Sequence, residues 1–221
     1  MKKHKNGFHS IAVLDIVIHM KQHGEYQYIQ EFADKIAIAF TSANSDKSTY
    51  HAYHEPYAHI LEGRNVKSFL EIGLFLWDTP TTDLYAWAKI FPEADIWGAD
   101  IKQHLLFNDE RIRCLYIDQS DSETFPPVRH LVGDNVDVIL DDASHVYSLT
   151  INTFENMFDL VAPGGVYMVE DILLNGKPGV DWEQNVKELD NYFKKTEYNY
   201  EFYSTSTIDR CVDSVVLAIY K

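Results

Sequence analysis

Two short acidic stretches hold the residues best suited to chemistry. In Val138-Ile139-Leu140-Asp141-Asp142-Ala143-Ser144-His145, three β-favouring apolar residues run into two adjacent carboxylates, and an imidazole follows three positions after the second. Gly164-Gly165-Val166-Tyr167-Met168-Val169 runs in the same way into Glu170-Asp171. Strands that end in charge fit the carboxyl edge of a parallel sheet, where ligands bind. Two neighbouring strands of this kind would present Asp141, Asp142, Glu170, Asp171 and His145 to one cleft. Four carboxylates in one place repel one another until protons, solvent or a cation relieve them. A hard divalent ion such as magnesium suits them, because it takes oxygen ligands and keeps positions open for water or substrate. The plainer alternative is that each acid caps the helix following its strand, a frequent role of Asp.

Such a cleft needs a sheet behind it, and the chain has the rhythm of one. Ser68-Phe69-Leu70-Glu71-Ile72-Gly73 reads as a strand ending in Glu-x-Gly, followed by a helix from about Asp83 to Ile90. Asp95 to Asp100 is a second strand ending in an acid, and Arg111 to Ile117 a third, ending at Asp118-Gln119-Ser120-Asp121. The acidic stretches supply the fourth and fifth, with a helix around Leu149 to Leu160 between them. Asn199 to Tyr203 and Val212 to Tyr220 are β-rich runs whose connection is too short for a helical crossover, so the last strand should be antiparallel.

Upstream, residues 9–42 read as helical, with Ile29, Phe32, Ala33, Ile36, Ala37 and Phe40 on one face. Residues 1–44 are therefore expected to form a helical extension that packs on the domain, covers the site or makes a homo-oligomer contact, and residues 45–221 the main domain. Between them, a polar loop from Thr41 leads into Tyr50, His51, Tyr53, His54 and Tyr57, placed to fold over the cleft. These side chains offer stacking surface for a sugar or purine, or form an aromatic packing segment.

Five βα units followed by an antiparallel hairpin give an α/β, Rossmann-like class I methyltransferase fold. It would have a seven-stranded, mostly parallel sheet with an antiparallel last strand and helices on both faces. An acid after the second strand, here Asp100, also occurs in dinucleotide domains, because both must hold ribose hydroxyls. The first loop separates the two: Gly73-Leu74-Phe75-Leu76-Trp77 has one glycine, not the G-x-G-x-x-G that admits a pyrophosphate. S-adenosylmethionine has no phosphates, and Glu71 and Gly73 would line its methionine and ribose portion.

The 221 residues, 46% hydrophobic and 14% aromatic, describe a globular chain, and no apolar run approaches the ~20 residues of a membrane span. Lys2, Lys3 and Lys5 before Ile11 to Met20 mimic a signal peptide, but Asp15 and His19 interrupt the stretch, so a helix of a cytoplasmic protein is expected. A net charge of -15 argues against a nucleic-acid partner and for a small molecule or neutral glycan. Cys114 and Cys211 lack metal-ligand spacing and read as free buried thiols. Lys47 is either a cation reaching the cofactor carboxylate or the acceptor, or a solvated loop lysine. His4, His9, His19, His23, His104 and His130 read as surface histidines, and Trp77, Trp87, Trp97 and Trp182 as core or pocket wall.

Together these motifs resemble the metal-dependent sugar O-methyltransferases, including those that methylate macrolide deoxysugars and rhamnose, with the cephalosporin-hydroxylase-like group as relatives. The resemblance rests on Ser45-Asp46-Lys47-Ser48-Thr49-Tyr50-His51-Ala52-Tyr53, Phe69-Leu70-Glu71-Ile72-Gly73, Gly98-Ala99-Asp100, Ile117-Asp118-Gln119-Ser120-Asp121, Asp141-Asp142-Ala143-Ser144-His145, and Gly164-Gly165 with Val169-Glu170-Asp171. It covers about residues 45 to 171. It implies that Asp142, Glu170 and Asp171 bind magnesium and that His145 is the general base, with Asp142 beside it in the catalytic pair. Asp100 would hold the cofactor ribose, and Asp118 and Gln119 would lie near the adenine; Asp141 and Lys47 are carried with the cofactor group. A sugar hydroxyl is a poor nucleophile, so catalysis must act on the acceptor, through metal chelation of adjacent hydroxyls and a base. Three other readings stay open: a catechol-type methyltransferase, an NAD-dependent oxidoreductase and a non-catalytic binding subunit.

Overall fold

The structure is a computed structural model that describes residues 20–76, 79–80, 82–174 and 184–221. Helices α1 (Gln30–Ser42) and α2 (His54–Leu61) precede the alternation of β1 (Ser68–Ile72), α3 (Asp83–Ile90), β2 (Asp95–Asp100), β3 (Ile112–Tyr116), α4 (Phe125–Val132), β4 (Val136–Asp141), α5 (Tyr147–Met157) and β5 (Val161–Val169). Helix α6 (Val186–Phe193) then leads to the hairpin of β6 (Asn199–Ser204) and β7 (Val215–Tyr220). The sheet order is β6-β7-β5-β4-β1-β2-β3. Strands β1 to β5 pair in parallel, and β7 runs antiparallel to both its neighbours. Beyond the seven expected strands, Met20–Lys21 pairs in parallel outside β6 and Asn108–Asp109 pairs antiparallel outside β3, making nine.

Alternation along the strands decides which helices cover which side chains. Phe69, Val138, Leu140, Val166 and Met168 share one core with Ile36 and Phe40 of α1, Tyr57 of α2 and Trp87 of α3. Leu70, Ile139, Tyr167 and Val169 face the other side, against Phe125 of α4, Phe154 and Met157 of α5, and Leu189 and Phe193 of α6. Both faces of the central strands are thus buried, which explains their near-continuous apolar runs.

The expected helix over residues 9–42 begins only at Gln30; its part before residue 20 lies outside the described residues, as do Trp77 and Trp182. Gly24 adopts φ +90° in a turn in which the Glu25 N–H donates to the Gln22 carbonyl, and Met20–Lys21 is held extended beside β6. A left-handed turn at a glycine cannot belong to a right-handed helix. Helix α1 buries Ala33, Ile36, Ala39 and Phe40 in the same core as the sheet. No helix among the described residues is long and apolar enough to cross a membrane.

Candidate active site

Register places the charged residues at one level. Ile72 pairs with Ala99 on one side and Asp141 on the other, and Asp141 pairs with Val169. Gly73, Asp100, Asp142 and Glu170 each follow directly, so four strand ends open onto one ledge. Backbone bonds continue past the strands and fix it: the Gly73 N–H donates to the Ala99 carbonyl (2.8 Å), Asp142 N–H to Ile72 (2.8 Å) and Glu170 N–H to Asp141 (3.1 Å). Gly73 has φ +96°, and a Cβ there would stand 2.1 Å from the Asp142 carbonyl oxygen, so only glycine lets the first loop pass under the fourth.

Two cavities meet at this ledge, sharing Gly73, Asp142 and Ala143 as wall. The larger, about 220 Å³, is bounded by Asp100, Ile101, Lys102, Asp118, Gln119, Ser144 and Leu149. Asp100 is fixed by its own backbone surroundings: Oδ2 accepts from the Leu74 N–H and Oδ1 from the Lys102 N–H, each at 2.8 Å. Oxygens held by single donors retain a lone pair for a ligand hydroxyl. The Asp118 side chain accepts from the N–H and hydroxyl of Ser120. Gln119 lines the cavity but spends its amide on the protein, donating to Asp141 (3.0 Å) and Thr153 (2.9 Å) and accepting from the Ser144 N–H (3.2 Å).

Asp141, expected beside the cofactor, lines neither cavity. Adjacent strand residues face opposite sides, so Asp141 follows Ile139 toward α5, where it meets Gln119 and the Tyr167 hydroxyl (3.3 Å), while Asp142 turns to the other side. Burial raises the Asp141 pKa to about 7. The cleft thus takes three of the four expected carboxylates, Asp142, Glu170 and Asp171, and its second cavity gains two others, Asp46 and Asp83. Glu71, expected beside the cofactor and fully buried on β1, lines neither cavity and lies behind the ledge, and Asp83 at the start of α3 lines the second cavity. An Asp opening a helix reads as a capping residue, so the sequence carried no functional signal for Asp83.

The second cavity, about 100 Å³, holds the charge. Lys47 Nζ lies 2.5 Å from Asp142 Oδ2, 2.7 Å from Glu170 Oε2, 3.4 Å from Glu71 Oε1 and 4.0 Å from Asp83 Oδ2. Burial lowers the Lys47 pKa, but the four carboxylates outweigh it and hold the ammonium well above the usual lysine range. Burial, only partly offset by Lys47, raises Asp142 to about 6 and Glu170 to about 7. Across the cavity, His145 Nε2 is 3.6 Å from Asp171 Oδ2 and 3.9 Å from Asp142 Oδ1. Both His145 and Asp171 have φ +53°, a left-handed backbone that costs non-glycine residues on the order of 1 kcal/mol and persists where the surroundings impose it.

The 41–57 segment supplies that constraint at Asp171 and lines the cleft. The Tyr53 hydroxyl donates to Asp171 Oδ1 and accepts from the Asp171 N–H, and burial and Asp171 push its pKa well up. The His51 ring stacks on Tyr53 at 4.9 Å and pairs with Ser214 Oγ at 3.1 Å. Ser214 and the neighbouring Asp213 come from the turn before β7, where a polar loop sequence gave no hint of them.

The donor set fits a hard cation. Asp142, His145 and Asp171 have ligand atoms within 4.8 Å of one another, and the buried Oε1 of Glu170 has no hydrogen-bond partner. An unpartnered buried carboxylate oxygen is costly unless something positive meets it. The pocket around Asp100 fits a ligand with vicinal hydroxyls. His23, His104 and His130 are exposed, Trp87 is core, and Cys114 and Cys211 are free and buried.

No family model matches the chain. Among curated proteins, it is 29% identical over 133 residues to 8-demethyl-8-alpha-L-rhamnosyl tetracenomycin-C 2'-O-methyltransferase of Streptomyces olivaceus, covering 58% of this chain and 35% of that protein. It is 31% identical over 134 residues to mycinamicin VI 2''-O-methyltransferase of Micromonospora griseorubida, covering 59% and 33%. The chain therefore spans about a third of the length of the curated relatives it matches. Among solved structures, the MycE methyltransferase of the mycinamycin pathway in complex with Mg and SAH superposes with TM-score 0.65 at 23% identity, over 85% of this chain and 54% of that one. The O-methyltransferase TomG of Streptomyces achromogenes, in complex with SAM, gives 0.55 at 14% identity, over 89% and 92%. The fold is that of a class I methyltransferase.

Proposed function

We propose that this chain is an S-adenosylmethionine- and magnesium-dependent O-methyltransferase acting on a sugar hydroxyl, the acceptor being a deoxysugar such as rhamnose in a glycan or glycosylated natural product. The observation that carries this reading is the junction of two cavities at Gly73, Asp142 and Ala143, one ending in Asp100 and the other in His145 and the carboxylates. A methyl donor bound in the first would face an acceptor bound in the second across that shared wall. The curated relatives, named for methylating rhamnosyl tetracenomycin and mycinamicin VI, support the sugar class.

Asp100 would hold the ribose hydroxyls of the donor through the lone pairs left after its two backbone bonds. Asp142, Glu170 and Asp171 would hold magnesium, whose charge makes adjacent acceptor hydroxyls more acidic when it is bound. S-adenosylmethionine supplies a methyl group already activated by its sulfonium. His145, with Nε2 turned toward Asp171 and Asp142, takes the hydroxyl proton there, and the two carboxylates stabilise the imidazolium that results. Tyr53 and His51 hold Asp171 in place and form one wall for the acceptor.

Calorimetric titration with S-adenosylmethionine, with and without Mg²⁺ and with NAD as control, tests the cofactor. Micromolar binding of S-adenosylmethionine alone is expected, followed by methyl transfer to rhamnosides rather than to catechols in a Mg²⁺-dependent assay. Binding of NAD, or transfer to catechols only, would overturn the reading.

A further inference from the structure

Lys47 is buried, 2% exposed, and among the described residues carries the only ammonium that touches these four carboxylates. It is anchored from its own backbone: the Tyr53 N–H donates to the Lys47 carbonyl at 2.7 Å, and the Lys47 N–H to Ser45 Oγ at 3.2 Å. Its closest partners, Asp142 and Glu170, are two of the three residues assigned above to magnesium. The ammonium takes one oxygen from each, Asp142 Oδ2 and Glu170 Oε2. The other two oxygens turn away from it: Asp142 Oδ1 lies toward His145, and Glu170 Oε1 has no hydrogen-bond partner.

We infer, on the footing of the magnesium reading, that Lys47 is a resident cation: it holds these carboxylates together when no divalent ion is bound and limits how tightly such an ion binds. Buried carboxylates need a counter-charge, and without one the set would splay or take up protons. A divalent ion drawing on the same two carboxylates would compete with the ammonium for their charge, so each would weaken the hold on the other. The site is thereby formed before the ion arrives, and the ion remains exchangeable. Lys47 acts here as a positioning residue through Asp142 and Glu170.

The test compares chelator-treated wild type with Lys47→Met by thermal melting and by calorimetric titration with MgCl₂. Lys47→Met should melt several degrees lower without metal, bind Mg²⁺ at least tenfold more tightly, and gain more melting temperature from Mg²⁺ than wild type does. If Lys47→Met fails to fold, Lys47→Met/Glu71→Gln removes one charge of each sign and should fold while keeping the tighter Mg²⁺ binding. Wild type that binds Mg²⁺ beside a variant that binds it no more tightly overturns the resident-cation role alone. Absence of Mg²⁺ binding in both overturns the metal reading and this inference with it, whereas binding only in the variant upholds it.

Discussion

The two halves of the cleft treat their carboxylates in opposite ways. On the β2 side, Asp100 has each oxygen satisfied by a backbone N–H, and the surrounding loop is tied down by the same bonds. On the β5 side, Glu71, Asp83, Asp142 and Glu170 share one ammonium, and both Glu71 oxygens and one Glu170 oxygen have no hydrogen-bond partner. The first arrangement is settled without a ligand and suits neutral hydroxyls. The second sets one ammonium among four carboxylates beside left-handed backbone at His145 and Asp171, which suits a further cation and a proton acceptor. On the proposed reading, recognition and chemistry would be divided between two sides of one ledge.

That division can be broken most sharply at His145. His145→Ala should lower kcat by about 10² to 10⁴, the usual worth of a general base, and leave the dissociation constant for S-adenosylmethionine unchanged; an equal loss of cofactor affinity would merge the two halves. A smaller effect is expected at Asp100→Asn, where the new amide N–H must face a backbone N–H that now donates to the carboxylate. Cofactor affinity should weaken roughly tenfold, about the worth of one charge-assisted hydrogen bond, with Mg²⁺ affinity unaltered in the same calorimeter. The smallest change is set by His54, half-buried at the start of α2 and outside both halves. Burial lowers its pKa below the ordinary 6.5, against the pull of Glu55 and Asp34. The fold prefers the neutral ring, so its contribution is present above pH 6.5 and is lost as pH falls through the lowered value. His54→Gln should flatten the decline of melting temperature below pH 6.5 equally with and without Mg²⁺, which separates general acid sensitivity from that of the cluster.

Much of this plan is written in short-range pattern. The strand from Asp95 to Asp100 and the helix from Asp83 to Ile90 fall where apolar spacing puts them, because burial on both faces leaves a strong signal. Asp142, Asp171 and His145 come together because they follow strands that end level. The fate of Asp141 was also legible, since a one-residue step along a strand changes faces, but counting adjacent acids as a pair conceals it. Lys47 was not legible in the same way. Nothing in Ser45-Asp46-Lys47-Ser48 says that a polar loop will drive a lysine into the interior, because its partners on β1 and α3 and just after β4 and β5 are distant in sequence. Asp213 and Ser214 were hidden for the same reason.

The two brief strands at the borders of the sheet bear on how the protein behaves in a crowded solution. An outermost strand with free N–H and C=O groups invites another chain to pair with it. Here, among the described residues, β6 is fringed by Met20–Lys21 and β3 by Asn108–Asp109, each two residues long. Such short pieces, carrying Lys21 on one border and Asp109 on the other, make poor templates for a further strand. Among the described residues the sheet is blunted at both margins, and growth by edge-to-edge aggregation is discouraged by the same segments that border it.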